Sequence, residues 1–407
     1  GVKVANKKLA SAKDAKKAEF YTQYEDIQRE VNAYLEYNPD TFRDKIVLLP
    51  CDDPEWSNFT RFFAQNFEAL GLKKLISTSF AADAKKTKYG YEERGDWQQL
   101  TIFEIMSPQY DASITMSRGK IFTLTRDINR SGAVDIDDLE WHYLEGDGDF
   151  RSDEVKVLRD EADIIVTNPP FSLFSEFLPW VVEAGKQFLV IGSLNAITYK
   201  EVFPLLRANK IWLGKGFKGM AGHFINKYYT DYATAGDHKD GMIRVSGVIW
   251  FTNIEHGRHH KPLELMTMAD NKKFSKHKEI RGPEYMKYVT FDGIDVPFTD
   301  AIPRDYPGIM GVPKSFMEQH CPEQFEILGY EREDENIQVG ITNMPESFLT
   351  EYRNQGGRGH YTKGMKMLCL YTDEGKAKIP FSRILIRYTQ QWIDEHPQDF
   401  VEKRGNQ

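Results

Sequence analysis

Apolar side chains recur at intervals of three and four residues after residue 18, and this spacing predicts an amphipathic helix. The apolar stripe consists of Tyr24, Ile27, Val31, Tyr34 and Leu35. The segment before it is rich in Lys and Ala but poor in large apolar residues. Such a composition is typical of a mobile basic arm or a marginal helix.

Short continuous apolar runs alternate with helical patterns over the next part of the chain, and these runs predict buried strands. The helix after the first strand is predicted to end at Gly71, and a later one contains Pro179. Strands that alternate with helices predict an α/β fold with a doubly wound, mostly parallel sheet. The predicted strands are residues 45–50, 72–80, 163–167 and 186–194, and the helices lie at 55–71, around 154–162 and at 173–185.

The remaining segments are less regular. Alternating polarity at 98–105 and 120–127 predicts hairpin strands, and residues 381–393 predict one more strand that runs into a helix. Beyond about residue 215 the periodicity weakens while Gly, His and basic residues become frequent. We therefore expect a second functional region on the C-terminal side.

Composition indicates an ordinary globular protein. The chain has 407 residues, of which 41% are hydrophobic and 28% charged, and this length fits two or three domains. Cys51, Cys321 and Cys369 are too few and too far apart for a disulfide framework or a Cys-built zinc site. The sequence contains no apolar run of membrane-span length and no apolar signal-peptide core. We expect a soluble, cytoplasmic protein without membrane association.

Charge is unevenly distributed along this acidic chain, whose net charge is −8. Residues 1–19 contain six Lys against two acidic residues, and residues 200–290 contain sixteen Lys and Arg against nine Asp and Glu. An acidic protein with such segregation can still present a basic face to phosphates. The basic N-terminal run is equally typical of solvated surface.

The sharpest chemical motif is Asn168-Pro169-Pro170-Phe171, directly after the predicted strand 163–167. In an open α/β sheet, ligands bind beyond the carboxyl ends of the strands. The two prolines fix a rigid turn, which can direct the Asn168 oxygen and the Pro169 carbonyl at one exocyclic amino group. Phe171 offers a face for stacking on the amine-bearing ring. The alternative is a tight strand-to-helix turn without a ligand.

This motif is that of amino-directed, S-adenosylmethionine-dependent methyltransferases, and the wider pattern resembles the EcoRI-type adenine-specific DNA methyltransferases. The resemblance implies a Rossmann-like class I methyltransferase fold and transfer of a methyl group to N6 of an adenine flipped out of duplex DNA. The matching blocks occur in the family's order over most of the chain: residues 18–27, 51–59, 146–152, 163–174, 197–203, 209–214, 308–316, 322–327 and 381–387.

The resemblance also implies a cofactor site for S-adenosylmethionine. The N-terminal motif and an acidic loop after the first strand are expected at its methionine end, although the two aspartates of that loop would also suit a helix N-cap. Asp149 is preferred over Asp147 as the acceptor for the adenine amino group of the cofactor, and the ribose contact is left unassigned. The implied cofactor-binding residues are Phe20, Tyr21, Thr22, Asp52, Asp53, Pro54, Asp147, Asp149, Phe150 and Asn168, and the catalytic residues are Asn168, Pro169, Pro170 and Phe171.

Basic residues in the C-terminal-side region are predicted to contact DNA phosphates. These residues are Lys215, Lys218, Arg258, His259, His260 and Lys261. The contiguous histidines do not have a usual zinc spacing, so we expect no metal site there. Residues 127–138 match a calcium-loop template with Asp at its last position, but a solvated turn is the favoured interpretation.

The resemblance implies four segments: a basic arm at 1–19, a catalytic domain at 20–215 with an insertion at about 81–130, a target-recognition region at 216–330, and a C-terminal segment at 331–407 with an insertion and a closing strand. Double-stranded DNA is the expected partner, a cognate restriction endonuclease would act separately, and the protein is expected to be a monomer. Two alternatives stay open: an RNA adenine or protein glutamine methyltransferase, and a DNA-binding protein without catalysis.

Overall fold

The chain forms two compact units in the computed structural model. The first, unit 1, comprises residues 1–202 and 211–257, and unit 2 comprises residues 203–210 and 258–407. The structure describes residues 21–22, 24–51, 57–81, 107–217, 221–225, 242–282, 284–331 and 339–401.

Unit 1 contains the strands and helices of the predicted α/β pattern. Its helices are α1 (Tyr24–Tyr37), α2 (Asn58–Gln65), α3 (Phe67–Leu70), α4 (Asp153–Glu161) and α5 (Phe174–Glu183). Its strands are β1 (Tyr21–Thr22), β2 (Ile46–Leu49), β3 (Lys74–Ser79), β4 (Lys120–Leu124), β5 (Glu140–Tyr143), β6 (Ile164–Thr167), β7 (Gln187–Ser193), β8 (Trp212–Leu213), β9 (Ala221–Ile225), β10 (Met242–Ser246) and β11 (Val248–Thr252).

Eight of these strands form one sheet in the order β5-β4-β3-β2-β6-β7-β11-β8. The four central strands, β3-β2-β6-β7, are parallel to one another. The pairings on both flanks of this group are antiparallel. The side chains of the central strands are almost entirely buried. The predicted α/β fold with a parallel sheet is confirmed.

The strand order reverses between β2 and β6. The connection after β2 leads to β3 on one side, and the connection after β6 leads to β7 on the other. The two connections therefore diverge and leave a crevice at the carboxyl ends of these strands, where α/β proteins bind their ligands. The Asn-Pro-Pro-Phe motif at 168–171, which was predicted to be catalytic, follows β6 directly.

The helix predicted at 55–71 is broken in the structure. It begins after Ser57, whose hydroxyl accepts hydrogen bonds from the backbone of Phe59 and Thr60, and it stops at Asn66 before α3 begins. The amide of Asn66 donates to Phe62 O and to the Tyr24 hydroxyl, so its side chain competes with helical hydrogen bonding. Gly71 ends α3 with a φ of 73°, as predicted for a glycine C-cap.

A strand not predicted from the sequence lies at Val248–Thr252. This strand, β11, is buried along its whole length and pairs antiparallel with both β7 and β8. Its apolar run follows β10 after a single glycine, and hydrophobic periodicity alone did not reveal it as a separate strand. The predicted strand at 120–127 is confirmed as β4 and pairs with β5, while the segment 98–105 lies outside the described residues.

A second, three-stranded sheet joins distant parts of unit 1. Its order is β1-β9-β10, with Tyr21 opposite Ile225 and Thr22 opposite Phe224. Strand β10 continues the sheet on the other side of β9. This pairing holds the start of the described chain beside residues more than 200 positions later.

Unit 2 is built on a four-stranded sheet in the order β12-β13-β17-β14. Across it, Arg383 donates to buried Asp295 at 2.8 Å, and the predicted strand and helix at 381–393 are confirmed. Its strands are β12 (Ile294–Asp295), β13 (Met310–Pro313), β14 (Phe325–Tyr330), β15 (Leu370–Tyr371), β16 (Ala377–Lys378) and β17 (Arg383–Tyr388); its helices are α6 (Phe203–Arg207), α7 (Met268–Phe274), α8 (Glu346–Asn354) and α9 (Gln390–Glu395).

Among the helices in the described part of the chain, none has the length and apolar character required to cross a membrane.

Candidate active site

The turn at Asn168–Phe171 begins where β6 ends. Thr167 is fully buried in the sheet, whereas Asn168 and Pro170 are half-buried. A 3-10 turn at Phe171–Leu173 follows, with Leu173 N donating to Pro170 O at 2.9 Å, and α5 begins at Phe174. The motif therefore occupies a short strand-to-helix connection at the crevice, as predicted.

Thr22 meets the catalytic motif. The Asn168 side-chain nitrogen donates to the Thr22 hydroxyl at 3.5 Å, and the Asn58 amide donates to the Thr22 carbonyl at 2.8 Å. Two residues that are 146 positions apart are thus brought together. Thr22 was predicted as part of the N-terminal cofactor motif. Of the other two residues of that motif, Tyr21 belongs to β1 and Phe20 lies outside the described residues.

The acidic loop predicted after β2 is Asp52-Asp53-Pro54, and it lies outside the described residues. The chain on its near side is fixed, because Thr78 donates from its hydroxyl to Pro50 O at 3.0 Å. This bond joins the carboxyl ends of two parallel neighbours, β2 and β3. The role of the acidic loop stays a prediction.

The glycine-containing segment 146–150 lies against the end of β3. Ala81 N donates to Asp147 O at 2.7 Å, and Gly119 N donates to Gly146 O at 2.9 Å. Gly148 has a φ of 86°, and a Cβ there would lie 2.3 Å from Ser79 O. Only glycine fits this close backbone approach. The segment is thereby placed beside the carboxyl end of β3, at the edge of the crevice.

The two acidic side chains of this segment have different environments. The Asp149 carboxylate is buried. It accepts hydrogen bonds from Arg151 Nε at 3.0 Å and from Arg151 Nη2 at 2.9 Å. Asp147 is half-buried, and its Oδ1 accepts from Asp149 N at 3.1 Å. The hydrogen bonds that Arg151 donates to Asp149 raise the pKa of its guanidinium, burial opposes this shift, and the bond to Glu176 adds to it.

Phe150 lies in the core rather than at the crevice. Its side chain is fully buried, with ring centroids 5.2 Å from Phe177 and 5.4 Å from Trp180. An aromatic in this position anchors the segment 146–150 to α5. Contact of Phe150 with the adenine of the cofactor stays a prediction.

A buried carboxylate of α1 fixes the chain around Lys215. Glu30 is 1% exposed and accepts from Lys215 N at 2.8 Å, from Gly216 N at 3.0 Å and from the Tyr34 hydroxyl at 3.0 Å. A Cβ on Gly214 would lie 1.9 Å from Glu30 Oε1, so this position needs glycine. Nothing in the sequence pattern marks Glu30, since its partners are backbone groups nearly 190 residues away.

Of the predicted DNA-contacting residues in unit 2, two are held by neighbouring side chains. His259 is buried, and its Nε2 lies 3.0 Å from Asn209 Oδ1. His260 Nδ1 lies 2.6 Å from Glu323 Oε1. Lys261 is exposed and Arg258 is half-buried, while Lys218 lies outside the described residues. Phosphate contact by this group stays a prediction.

The segment 127–138 uses its acidic side chains within its own turn. Asp127 accepts from the backbone of Ser131 and Gly132, at 3.1 and 2.8 Å. Asp138 is buried and accepts from the backbone of Ile128, Asn129 and Asp135. These hydrogen bonds lower the pKa of the Asp138 carboxyl, and the bond from the Asp135 backbone has the largest effect. The segment thus forms a hydrogen-bonded turn, and its lack of a calcium ion stays a prediction.

Comparison with known proteins identifies the family. A family model described as "Adenine-specific methyltransferase EcoRI" matches residues 8–389. The chain belongs to this family. It is 37% identical over 362 residues to Type II methyltransferase M.EcoRI of Escherichia coli. The aligned region covers 86% of this chain and 97% of the relative.

Two mycoplasma proteins are also similar to the chain. It is 34% identical to Type II methyltransferase M.MpnI of Mycoplasma pneumoniae, over 78% of the chain and 83% of the relative. It is 32% identical to Type II methyltransferase M.MgeORF184P of Mycoplasma genitalium, over 78% of the chain and 84% of the relative. No solved structure matches this chain.

These matches confirm the predicted family, the class I methyltransferase fold and the function of an adenine-specific DNA methyltransferase of the restriction-modification type. The family implies a methyl donor. The sequence did not mark three residues that the structure places at or beside the crevice: Asn58, Arg151 and Glu176. Only Arg151 had a signal, since it directly follows the segment 146–150.

Proposed function

We propose that Asn168 and Pro169 hold N6 of an adenine that is flipped out of duplex DNA, and that S-adenosylmethionine is the methyl donor. The observation that carries this proposal is the position of Asn168-Pro169-Pro170-Phe171 at the carboxyl end of β6, beside the strand-order reversal. Extrusion of the base costs a few kcal/mol, which stacking and hydrogen bonds in the pocket offset.

The residues at the crevice suit S-adenosylmethionine chemically. Asp147, which is half-buried and lies beside the end of β3, provides an acceptor for an amino group. Thr22 provides a hydroxyl beside Asn168. The acidic pair Asp52-Asp53 is proposed for the cationic methionine end. When bound, the cofactor supplies a methyl group activated by a sulfonium. Because both Asp149 oxygens accept from Arg151, we propose Asp147 as the acceptor for the cofactor's adenine.

The residues of the turn act by positioning. The Asn168 oxygen and the Pro169 carbonyl accept hydrogen bonds from the target amino group and orient its lone pair. As that nitrogen becomes positively charged, both acceptors stabilise the developing charge, and the surplus proton then passes to solvent water. Phe171, half-buried at the start of the 3-10 turn, supplies the stacking face for the target base. A covalent enzyme intermediate is not needed, so orientation and electrostatics provide the rate enhancement.

The test is transfer of radiolabelled methyl groups to unmethylated genomic duplex DNA, with nucleoside analysis of the product. Label in N6-methyladenine at one short motif supports the proposal. Asn168→Ala should lower kcat on the order of 10²–10³-fold, the loss expected for one preorganised polar group, and should keep cofactor affinity within a few-fold by calorimetry. Asn354→Ala, an exposed amide at the end of α8, is the control and should be fully active.

Other outcomes would contradict parts of this proposal. Label in RNA adenine or in protein glutamine, with none in duplex DNA, would overturn the substrate. Absence of both cofactor binding and transfer would favour a DNA-binding protein without catalysis. Full activity of Asn168→Ala would remove that residue from the mechanism.

Assembly and biological partner are further proposals. We propose that the protein acts as a cytoplasmic monomer and modifies the sites of a separately acting restriction endonuclease. Sedimentation of the protein with and without a duplex carrying its motif tests the monomer. Cleavage of host DNA at that motif after loss of the methyltransferase gene tests the endonuclease.

A further inference from the structure

Arg151 lies between two parts of the proposed active site. Its guanidinium forms a two-bond contact with the Asp149 carboxylate, through Nε at 3.0 Å and Nη2 at 2.9 Å. Its third nitrogen, Nη1, donates to Glu176 Oε2 at 3.0 Å. Asp149 belongs to the segment at the end of β3, and Glu176 to the first turn of α5, which follows the catalytic turn.

The two arms of this contact differ in burial. The Asp149 side chain is 7% exposed, whereas Arg151 is 40% and Glu176 54% exposed. Planar, two-bond contacts between Arg and a buried carboxylate are strong and fix direction. The outer arm is weaker because solvent screens it. Arg151 is therefore anchored on the cofactor side and extends from there toward the catalytic side.

Both ends of the contact are fixed within unit 1. The segment 146–150 cannot move without breaking the bond from Ala81 N to Asp147 O and the close approach of Gly148 to Ser79 O. The start of α5 is held by fully buried Phe174 and Phe177. A side chain that joins two fixed elements sets their separation, and in-line methyl transfer is sensitive to displacements of about 1 Å.

We propose that Arg151 is a positioning residue, which joins Asp149 to Glu176 and thereby sets the cofactor-binding segment at the correct distance from the catalytic turn. This inference rests on the proposed function. It differs from a simple stabilising ion pair, because the outer arm should influence kcat although it is exposed.

A double-mutant cycle on duplex DNA tests the proposal. Glu176→Ala should lower kcat about fivefold with little change in KM for S-adenosylmethionine, since the inner arm persists. Arg151→Ala should lower kcat and raise that KM, each about tenfold. The double variant should be no worse than Arg151→Ala, because coupled residues are not additive. Arg151→Lys keeps the charge but loses the two-bond geometry and should fall between wild type and Arg151→Ala.

The control is Glu161→Ala, which breaks another partly exposed ion pair of unit 1, with Lys74 at 2.7 Å. Lys74 is the first residue of β3, so it lies at the amino ends of the parallel strands, opposite the catalytic turn. This variant should keep both kinetic constants. If Arg151→Ala does not fold, the cycle is run with Arg151→Lys.

Wild-type kcat in Glu176→Ala, or effects that multiply in the double variant, would overturn the role of Arg151. A loss of melting temperature with unchanged kinetic constants would reduce it to a structural contact. An inactive wild type on duplex DNA would instead contradict the proposed function, so the two failures are distinguishable.

Discussion

At the residue scale, the catalytic turn and its partner differ in how far sequence predicts them. Asn168 and the two prolines are local to a buried strand, so their position follows from the order of residues alone. The approach of Thr22 to Asn168 depends on a strand pairing across the chain, and only the family resemblance pointed to it. The contact of Arg151 with Glu176 was not predictable, because it depends on side-chain reach in the folded sheet.

Two half-buried titratable groups in unit 2, Glu318 and His320, give a further residue-level property. Burial raises the pKa of Glu318 to about 7, and the nearby Arg258 opposes that shift. Burial also lowers the pKa of His320 to about 4. A carboxyl whose pKa is raised in the folded state binds more protons there than in the unfolded chain. Stability due to protonated Glu318 is complete below pH 4.5 and is lost as the pH rises to about 7.

The variant Glu318→Gln should lack this pH dependence, so its comparison with wild type should reveal it. It removes the cost of ionising a buried carboxyl, so its stability relative to wild type should rise between pH 4.5 and 7 and then level off, by at most roughly 3 kcal/mol. Melting temperatures at pH 5 and pH 8 provide the measurement. His320 is present in both proteins, so its opposite pH dependence cancels in the comparison. A difference that does not change with pH would contradict the raised pKa.

At the scale of elements, the four central strands were predictable, whereas β11 and the connections were not. The four central strands are apolar runs bounded by polar residues, and each appears close to its predicted place. The break at Asn66 depends on a side-chain bond to Tyr24, and β11 depends on a neighbour, β7, that buries an otherwise short run. The segment 146–150 shows the same limit, since its glycine spacing predicts a turn but not its contact with β3.

Two glycines with similar backbones allow that contact to be tested. Gly148 has a φ of 86° and Gly132 a φ of 91°, but a Cβ at Gly132 would have nothing within 4 Å. Gly132→Ala should cost about 1–2 kcal/mol for left-handed backbone alone. Gly148→Ala should cost about 1–3 kcal/mol more through its clash with Ser79 O, and should weaken cofactor binding.

Unfolding by urea and calorimetry with S-adenosylhomocysteine measure both effects. Equal losses of stability for the two variants would show that the close approach of Gly148 to β3 does not contribute. Unchanged cofactor affinity in Gly148→Ala would separate the segment 146–150 from the cofactor site.

At the scale of the molecule, the large sheet has two chemically different edges, one at the carboxyl ends and one at the amino ends of its parallel strands. Strand β8 is parallel to β7, because both are antiparallel to β11. Lys215, just after β8, therefore lies at the edge that also carries Asn168. Lys186 precedes β7 and lies at the opposite edge, where its Nζ donates to Asp160 O. Of these two lysines, only Lys215 thus lies at the end of the sheet where the proposed target adenine binds.

Salt dependence of DNA binding should distinguish these two lysines. Lys215→Ala should weaken duplex binding and reduce the slope of log K against log salt by about 1, as expected for one lost phosphate contact. Lys186→Ala removes the same charge and should leave the slope unchanged. Fluorescence anisotropy at several KCl concentrations measures both. An equal change in the two variants would indicate a general effect of net charge, without a contact at Lys215.

The pairing of β1 with β9 also determines when this enzyme becomes competent during its synthesis. Thr22 leaves the ribosome before its strand partner Phe224, which follows about 200 residues later. At 5–20 residues per second, that interval lasts roughly 10–40 s. The sheet strands β2 to β7 can form meanwhile, whereas the contact between Thr22 and Asn168 must wait for residues 221–225. The catalytic amide is therefore among the last groups of unit 1 to be oriented.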